Sequence, residues 1–336
     1  MPDGAVVGLV IIFVLGLSFD FINGFHDTAN AIATVVATRV LSPGRAVAAA
    51  AVFNFLGALS GTAVATTVGK GIVPPEAATQ TLVVAALLSA IVWDLITWYY
   101  GLPSSSSHAL VFSIVGAGIG IAGWNIIDPT GVTKTLQGLV SSPILGFLGA
   151  SFILLGLFAV MGRFAPTRVT AIFARAQLLS AAYMAYSHGS NDAQKTMGVL
   201  TMALAAFYGW EGAQWEVPLG IIVACAIAMA LGTAIGGWRI IRTMGMRIAH
   251  IRPIHGFAAE TAAATVIEVA SRLGIPISTT HTISAAILGV GSTQRLSAVR
   301  WNVAGNIFMA WILTIPACIA MGWVFSTLLH AVFGLK

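Results

Sequence analysis

Eight long apolar runs dominate the sequence and leave little polar chain between them. They cover residues 5–40, 46–69, 82–122, 144–161, 177–205, 217–237, 255–291 and 303–333. All are rich in Ala, Leu, Ile, Val and Gly, and none shows the alternation over about ten residues that is typical of a barrel strand. Apolar runs of about 18 residues or more predict membrane-spanning helices. The sequence therefore predicts an all-α polytopic membrane protein.

The composition excludes the soluble classes of protein. Charged residues make up 8% of the chain and hydrophobic residues 58%, whereas a soluble domain has about 25% charged residues for its surface. A soluble enzyme, a nucleic-acid-binding protein and a disordered chain are all excluded on this ground. The excess of basic over acidic residues does not change this, because the basic residues lie in short loops and form no single patch.

Two runs are interrupted by polar residues, and two others contain a proline followed by hydroxyls. The interruptions are residues 23–27 (Asn-Gly-Phe-His-Asp) and 187–192 (Ser-His-Gly-Ser-Asn-Asp). A helix as long as the run 5–40 would measure about 54 Å against a hydrocarbon core of about 30 Å, so such a run is expected to be bent or broken. Residues 101–108 and 274–281 each carry Gly-x-Pro and then Ser or Thr. There the proline ends one helix and the hydroxyls can cap the next.

These irregular segments occur twice in the same order, which indicates an internal duplication. Residues 24–31 align with 189–196 at an offset of 165, and the proline-hydroxyl segments align at an offset of 173. The predicted organisation is a first repeat at 1–161, a cytoplasmic Arg-rich linker at 162–176 and a second repeat at 177–336. Each repeat is predicted to contain a broken helix and a re-entrant hairpin, with roughly 10–12 membrane-embedded helices in all.

The distribution of basic residues predicts that the second repeat is inverted. If both proline-hydroxyl segments are re-entrant and the N-terminus lies outside, eleven of the sixteen basic residues fall in inside loops and three fall outside. This distribution follows the positive-inside rule and places both termini outside. The inside residues are Arg39, Arg45, Arg163, Arg168, Arg175, Arg239, Arg242, Arg247, Arg252, Arg295 and Arg300. The outside residues are Lys70, Lys134 and Lys336.

The irregular segments are expected to meet near the membrane midplane, because irregular backbone at that depth must be buried in protein or line a cavity. Two hydroxyl clusters would lie there, each at a helix N-terminus that attracts an anion. They would be joined by Asp27, Asn30, Asn191, Asp192 and Lys195. Carboxylates beside an anion fit one that carries protons or arrives with cations. Hydrogen phosphate can donate to a carboxylate and sulfate cannot, so the mixed site favours phosphate.

Three further acids lie in the hairpin segments. Glu260 is 18 residues before Ser278 and is a candidate coupling residue. Glu268 stands at i, i+4 spacing to Arg272, which predicts a structural ion pair. Asp94 could act either as a coupling residue or in a structural role.

Four histidines accompany the irregular segments. His108 and His281 are expected to brace the hairpins through hydrogen bonds, with a proton-carrying or metal-binding role as the alternative. His26 and His188 lie beside the interruptions, where a pH-linked role and a capping role are both open. Asn54 is a single amide in an apolar run, and it suits interhelical hydrogen bonding as well as lining of the site.

The four polar segments resemble the signatures of the inorganic phosphate transporter (Pit) family. They are residues 23–31, 102–108, 187–195 and 275–281, and the resemblance runs over nearly the whole chain. It implies inverted repeats and low-affinity phosphate uptake coupled to a cation gradient. Glu260 matches an acid that matters for transport in sodium-coupled relatives. The resemblance places at the substrate or coupling-ion sites Asp27, Asn30, Ser105, Ser106, Ser107, Asp192, Ser278, Thr279 and Thr280.

Two departures from the family pattern bear on the coupling ion. Sodium-coupled members read Asn-Asp-x-x-Asn where residues 191–195 read Asn-Asp-Ala-Gln-Lys, and eukaryotic relatives carry an acid at the position of Asn54. The ammonium group of Lys195 brings its own positive charge and resembles a built-in replacement for one sodium ion. A fixed ion pair with Asp192 is the alternative. With a lysine at this position, the chain is similar to the bacterial low-affinity branch of the family. The members of that branch are proton symporters that often carry phosphate as a neutral complex with Mg²⁺ or Ca²⁺.

The predicted function is secondary active import of inorganic phosphate by proton symport, with alternating access at a midplane site in a bacterial inner membrane. The predicted coupling residues are Asp27, Asn191, Asp192, Lys195 and Glu260. No cofactor is expected, and it stays open whether Mg²⁺ accompanies phosphate and which residues would bind it.

Sodium-coupled phosphate symport and sulfate transport on the same fold are the alternatives. A membrane-embedded hydrolase is disfavoured, because the adjacent residues Ser107 and His108 would point about 100° apart on a helix. The expected partners are phosphate and the lipid bilayer, nucleic acid is not expected, and a homodimer stays open.

Overall fold

The chain is almost entirely helical. A computed structural model describes residues 4–210 and 215–333. Within these ranges thirteen α-helices are joined by short turns, and the only strand-like pairing is a single bridge between Ala249 and Val299. The prediction of an all-α polytopic membrane protein is confirmed. Lys336 and the outermost residues of both termini lie outside the described residues.

The helices divide into two series. The first half contains α1 (Gly4–His26), α2 (Thr28–Ala37), α3 (Pro43–Ala58), α4 (Ala63–Gly71), α5 (Gln80–Tyr100), α6 (Ser106–Ala122) and α7 (Pro129–Met161). The second contains α8 (Pro166–Tyr208), α9 (Leu219–Ile235), α10 (Trp238–Arg242), α11 (Pro253–Arg272), α12 (Thr279–Gln294) and α13 (Trp301–Phe333), with a π-helical turn over Thr243–Arg247. In the described part of the chain, four segments are long and apolar enough to cross a membrane, namely α1 with α2, α5, α7 and α13.

The two polar interruptions have different structures. In the first half, Asp27 alone departs from helical backbone geometry (φ −96°, ψ 4°) and separates α1 from α2, although its N–H still donates to the carbonyl oxygen of Asn23 at 2.8 Å. In the second half the predicted break at 187–192 was wrong, because α8 runs through it as one helix of 43 residues. Residues 187–203 are all buried, so their polar groups find partners on neighbouring helices without a break. Residues 166–176, predicted as part of a linker, form the first turns of α8.

Broken helices occur in both halves at another position. The run 46–69 is divided into α3 and α4, which meet at 69°, and α9 meets the segment that begins with α10 at 58°. In the second pair the bend follows Gly236, whose φ of 79° is a conformation that glycine adopts without strain. With each bent pair counted as one span, the described residues contain up to six candidate spans.

The hairpin of each half packs against the last helix of the other half. α5 and α6 form the first hairpin and contact α13, whereas α11 and α12 form the second and contact α7. In the same reciprocal way α1 packs against α9 and α8 packs against α3. This arrangement is that of two inverted-topology repeats.

Glycines at aligned positions allow two of these helix contacts. Gly24 of α1 lies against the backbone of Met229 in α9, and Gly189 of α8 lies against the backbone of Asn54 in α3. A β-carbon at either glycine would overlap with these backbone atoms, and the helices could not approach so closely. The offset of 165 residues therefore aligns two positions with the same packing role.

Candidate functional site

The two hairpin turns place their hydroxyl clusters at helix N-termini. A glycine in the left-handed conformation follows each first arm, Gly101 (φ 66°) in the first hairpin and Gly274 (φ 63°) in the second. Ser105 and Ser278 then cap α6 and α12, and each accepts a hydrogen bond from the backbone N–H three residues later, at 3.2 and 3.1 Å. The N-terminal ends of α6 and α12, where partial positive charge accumulates, are thereby held in place.

These two helix N-termini lie side by side. The rings of His108 and His281 have centroids 4.4 Å apart, and the His281 ring stacks on Trp311 at 3.8 Å. One nitrogen of each ring has no hydrogen-bond partner among the described residues. His108 and His281 were predicted to brace their hairpins through hydrogen bonds, and for these two nitrogens the prediction was wrong. The two hairpins instead contact each other through the histidine rings.

The interrupted helix of the first half contacts the hairpin of the second half. Asn30 Nδ2 donates to the hydroxyls of Thr279 and Thr280 at 3.2 and 2.9 Å. Thr280 Oγ1 in turn donates to Asp27 Oδ2 at 3.2 Å. The other carboxylate oxygen of Asp27 lies 2.7 Å from His26 Nδ1. The one-residue irregularity at Asp27 thus aims its carboxylate at the tip of the opposite hairpin.

Helix α8 brings an ion pair to the same point. Lys195 Nζ pairs with Asp192 Oδ1, donates to the hydroxyl of Ser107, and donates to the carbonyl oxygen of Ile277 at 2.9 Å. Thr279 Oγ1 donates to the second oxygen of Asp192 at 2.7 Å. Lys195 is only 2% exposed, so the charge that stabilises it is that of Asp192 and not of solvent. Lys195 therefore ties α8 to the tips of both hairpins.

The nine residues predicted to bind substrate are all buried, and none is more than 4% exposed. Six of them form one hydrogen-bonded cluster with Lys195, namely Asp27, Asn30, Ser107, Asp192, Thr279 and Thr280. Ser105 and Ser278 serve as helix caps beside it, and the hydroxyl of Ser106 has no partner among the described residues. We call the six residues and Lys195 the central cluster.

Two predicted coupling residues lie apart from the central cluster. Asn191 donates from Nδ2 to Ser271 Oγ of α11 at 2.9 Å. Glu260 is fully buried and accepts hydrogen bonds from Thr34, Gln177 and Ser180. These donors satisfy the Glu260 carboxylate without any hairpin-tip residue, so its contacts join α2, α8 and α11.

Three other acidic residues in the described ranges are buried outside the central cluster, namely Asp20, Asp94 and Glu268. Asp20 in α1 is fully buried and accepts a hydrogen bond from Thr196 at 2.9 Å. The sequence signal for it is a single acid in an apolar run, which the repeat alignment does not highlight. Asp94 in α5 is also fully buried, and neither of its oxygens has a partner among the described residues. The predicted pair of Arg272 with Glu268 is confirmed, with Nε and Oε1 2.9 Å apart.

One group of atoms at the edge of the central cluster could hold a cation. A carboxylate oxygen of Asp27, a ring nitrogen of His188 and a carboxylate oxygen of Asp192 all lie within 4.8 Å of one another. His188 Nε2 is 3.0 Å from Asp192 Oδ2, and its Nδ1 is 3.0 Å from the amide oxygen of Asn54, which orients the ring. Carboxylate oxygens and imidazole nitrogens are donors that suit several divalent metals. The ammonium group of Lys195 already occupies the other oxygen of Asp192.

Comparison with known proteins identifies the family. The model of the phosphate transporter family matches this chain twice, over residues 23–166 and 160–322. The chain belongs to the phosphate transporter family.

Relatives within the family cover almost the full length of the chain. The probable low-affinity inorganic phosphate transporter of Rhizobium meliloti (strain 1021) is 47% identical over 310 residues, which is 92% of each chain. The protein of the same description from Bacillus subtilis (strain 168) is 44% identical over 334 residues, which is 98% of this chain and 100% of the relative. Both are described as transporters, in agreement with the prediction that the chain is not an enzyme.

A solved structure shares the fold. It is described as the sodium-dependent phosphate transporter, and it matches with a TM-score of 0.87 at 26% sequence identity. The match covers 97% of this chain and 100% of that one. The family and the multi-pass helical fold are therefore established.

Proposed function

We propose that this chain imports inorganic phosphate by symport with protons, through alternating access at the central cluster. The observation that carries the proposal is the meeting of two capped helix N-termini with the polar residues of α2 and α8, in a chain of the phosphate transporter family. Helix N-termini supply N–H groups and partial positive charge to an anion. The same cluster contains carboxylates, which an anion without protons would avoid.

Phosphate would replace contacts that the side chains now make with one another. The hydroxyls of Ser107, Thr279 and Thr280 currently donate to protein oxygens, and they can donate to phosphate oxygens instead. Asp27 and Asp192 can accept hydrogen bonds from the P–OH groups of hydrogen phosphate. Sulfate at neutral pH has no such proton, so the same cluster favours phosphate.

The packing of the hairpins supports alternating access. The hairpins touch each other at the site, while each rests on the last helix of the opposite half. Relative movement of the two halves would therefore open the central cluster toward one face at a time, as in other transporters with inverted repeats. Binding of phosphate and of the coupling ion would shift the balance between the two arrangements.

The contacts of Lys195 support proton coupling over sodium coupling. Its ammonium group contacts Asp192 Oδ1, Ser107 Oγ and the carbonyl oxygen of Ile277, and oxygen atoms of this kind are the ligands that hard cations use. A fixed positive charge here removes the need for a cation at this point. Sodium symport is the second candidate, because the solved relative is described as sodium-dependent and the Asp27–His188–Asp192 group could hold a cation.

The geometry favours Asp94 as the residue that holds the transported proton. Its carboxyl group is fully buried without a hydrogen-bond partner among the described residues, whereas Glu260 has three donors. An ionised carboxylate without a donor is far more costly in a dry interior than a neutral carboxyl group. A carboxyl group that alternates between its ionised and its neutral form suits proton coupling.

The test of coupling is uptake of radiolabelled phosphate into proteoliposomes under an inward proton gradient or an inward sodium gradient, each with and without Mg²⁺. Uptake driven by the proton gradient alone is expected. A requirement for sodium would contradict the role given to Lys195 and would leave phosphate transport intact. Uptake of labelled sulfate, with no uptake of phosphate under either gradient, would overturn the choice of substrate.

Replacing Asp94 with asparagine is expected to remove the stimulation of uptake by a proton gradient and to flatten its pH dependence. The amide is close in size to the carboxyl group but cannot exchange a proton. Exchange of labelled for unlabelled phosphate without a gradient should persist, since Asp94 is not part of the central cluster. The matched variant Asp128→Asn makes the same chemical change at the cap of α7 and should keep the pH profile of the wild type. A wild-type profile in Asp94→Asn would assign the proton to another group.

A further inference from the structure

A pocket lined by three arginines lies apart from the central cluster. It has a volume of about 250 Å³ and is bounded by Tyr100, Trp238, Arg239, Arg242 and Arg247. The arginines come from α10 and from the π-helical turn that follows it, and Tyr100 is the last residue of α5. Three arginines thus line one small volume at the end of the first hairpin arm.

No carboxylate in the described part of the chain neutralises these arginines. None of the three forms an ion pair there. Arg239 donates to the backbone carbonyl of Tyr99 and lies over the rings of Trp98 and Tyr99, at 5.3 and 4.9 Å. Arg242 and Arg247 are exposed. A concentration of unneutralised guanidinium groups suits an oxyanion, and phosphate groups match the fork of N–H donors on arginine.

The surroundings of the pocket indicate where the phosphate group comes from. Tyr100 is 70% exposed and Trp238 is 45% exposed, and both stand where long apolar helices end. Exposed aromatic residues at such positions are typical of the interface between the hydrocarbon core and water. Basic pockets between membrane helices at that level bind the headgroups of anionic phospholipids. Free phosphate shares the same chemistry without the acyl chains.

We propose that Arg239, Arg242 and Arg247 bind a phosphate group, supplied by an anionic phospholipid in the adjacent leaflet. The pocket touches the turn of the first hairpin, because Thr243 Oγ1 donates to the carbonyl oxygen of Gly101 at 2.9 Å. Gly101 directly precedes the segment that leads to the caps of α6. A bound headgroup therefore holds the α10 segment against the hairpin turn. The binding step is independent of which substrate the central cluster carries.

The test compares the wild type with the double variant Arg242→Gln/Arg247→Gln. Arg239 is left in place because it supports the backbone of Tyr99. The matched control is Arg295→Gln/Arg300→Gln, which removes two exposed arginines that do not line the pocket. Purified protein is titrated with phosphatidylglycerol or with phosphatidylcholine, and bound lipid is counted by native mass spectrometry. The wild type and the control should retain phosphatidylglycerol selectively, and the double variant should bind it at least about tenfold more weakly.

Further measurements distinguish a bound phospholipid from free phosphate and from the absence of a site. Displacement of phosphatidylglycerol from the wild type by inorganic phosphate, at concentrations that leave the double variant unaffected, would make free phosphate the occupant of the same arginines. Equal retention of phosphatidylglycerol by the double variant and the wild type would overturn the proposal, as would equal retention of phosphatidylcholine by the wild type. Thermal unfolding checks that the variants are folded, and Arg242→Gln alone serves if the double variant is not.

Discussion

Replacing Lys195 with asparagine is expected to abolish proton-driven phosphate uptake. The substitution leaves the carboxylate of Asp192 buried without its cation and removes the donor to Ser107 and to Ile277 in the two hairpins. Breaking a buried pair by removing one partner costs about 3–5 kcal/mol, which corresponds to a loss of roughly 100-fold or more if it falls on the transport cycle. Initial rates in proteoliposomes under a proton gradient measure this loss.

The same variant also tests the role of the lysine as a substitute for a cation. Asparagine at this position recreates the Asn-Asp-x-x-Asn pattern, so any remaining uptake of Lys195→Asn is expected to require sodium. The control is Lys134→Asn, which should transport like the wild type, since Lys134 is not part of the central cluster and donates to Thr67 Oγ1 at 3.4 Å. Wild-type uptake with an unchanged pH response in Lys195→Asn would contradict the proposed role of Lys195 as a substitute for a cation.

Replacing Asp27 with asparagine is expected to reduce uptake by roughly 30-fold, for a different reason. The amide keeps the size of the side chain and can still accept a hydrogen bond from Thr280, so the contact between α2 and the second hairpin survives. The negative charge beside His26 and beside the candidate cation group disappears. Loss of a buried, hydrogen-bonded charge costs about 2 kcal/mol or more.

The measurement for Asp27 pairs transport with folding. Thermal unfolding of purified Asp27→Asn should resemble that of the wild type, while uptake under a proton gradient falls. Asp128→Asn makes the same chemical change at the cap of α7, where the carboxylate accepts from the N–H of Thr130 at 2.8 Å, and it should leave uptake unchanged. Normal uptake by Asp27→Asn would remove Asp27 from the coupling machinery.

Much of the fold follows from local patterns in the sequence. Apolar runs locate most of the helices, and the Gly-x-Pro-hydroxyl segments locate both hairpin turns because glycine, proline and a capping serine each act on their own neighbours. The meeting of the polar segments in the central cluster also follows from the sequence, because irregular polar segments at membrane depth must be buried against protein or line a cavity. That these residues bind phosphate stays a prediction.

The features that the sequence did not predict depend on contacts between distant segments. The uninterrupted course of α8 through residues 187–192 depends on Thr279, Asn54 and Ser271, which supply partners for its polar side chains from three other helices. Glu260 was predicted as a coupling residue together with Asp27 and Asp192, yet its hydrogen-bond donors come from α2 and α8 and not from the central cluster. The bend between α3 and α4 is likewise part of a packing arrangement that no single segment encodes.

The exchange of hairpins between the two halves has a consequence for any shortened form of this chain. The first hairpin is covered by α13 and the second by α7, so a polypeptide carrying one half alone would expose its hairpin to lipid. It could cover that surface only by pairing with a copy inserted in the opposite direction across the membrane. The chain with both halves is thus equivalent to an antiparallel dimer in one polypeptide. Its fixed one-to-one pairing lets the two hairpin tips differ in sequence, with Ser106 and Ser107 after the capping serine of one and Thr279 and Thr280 after that of the other.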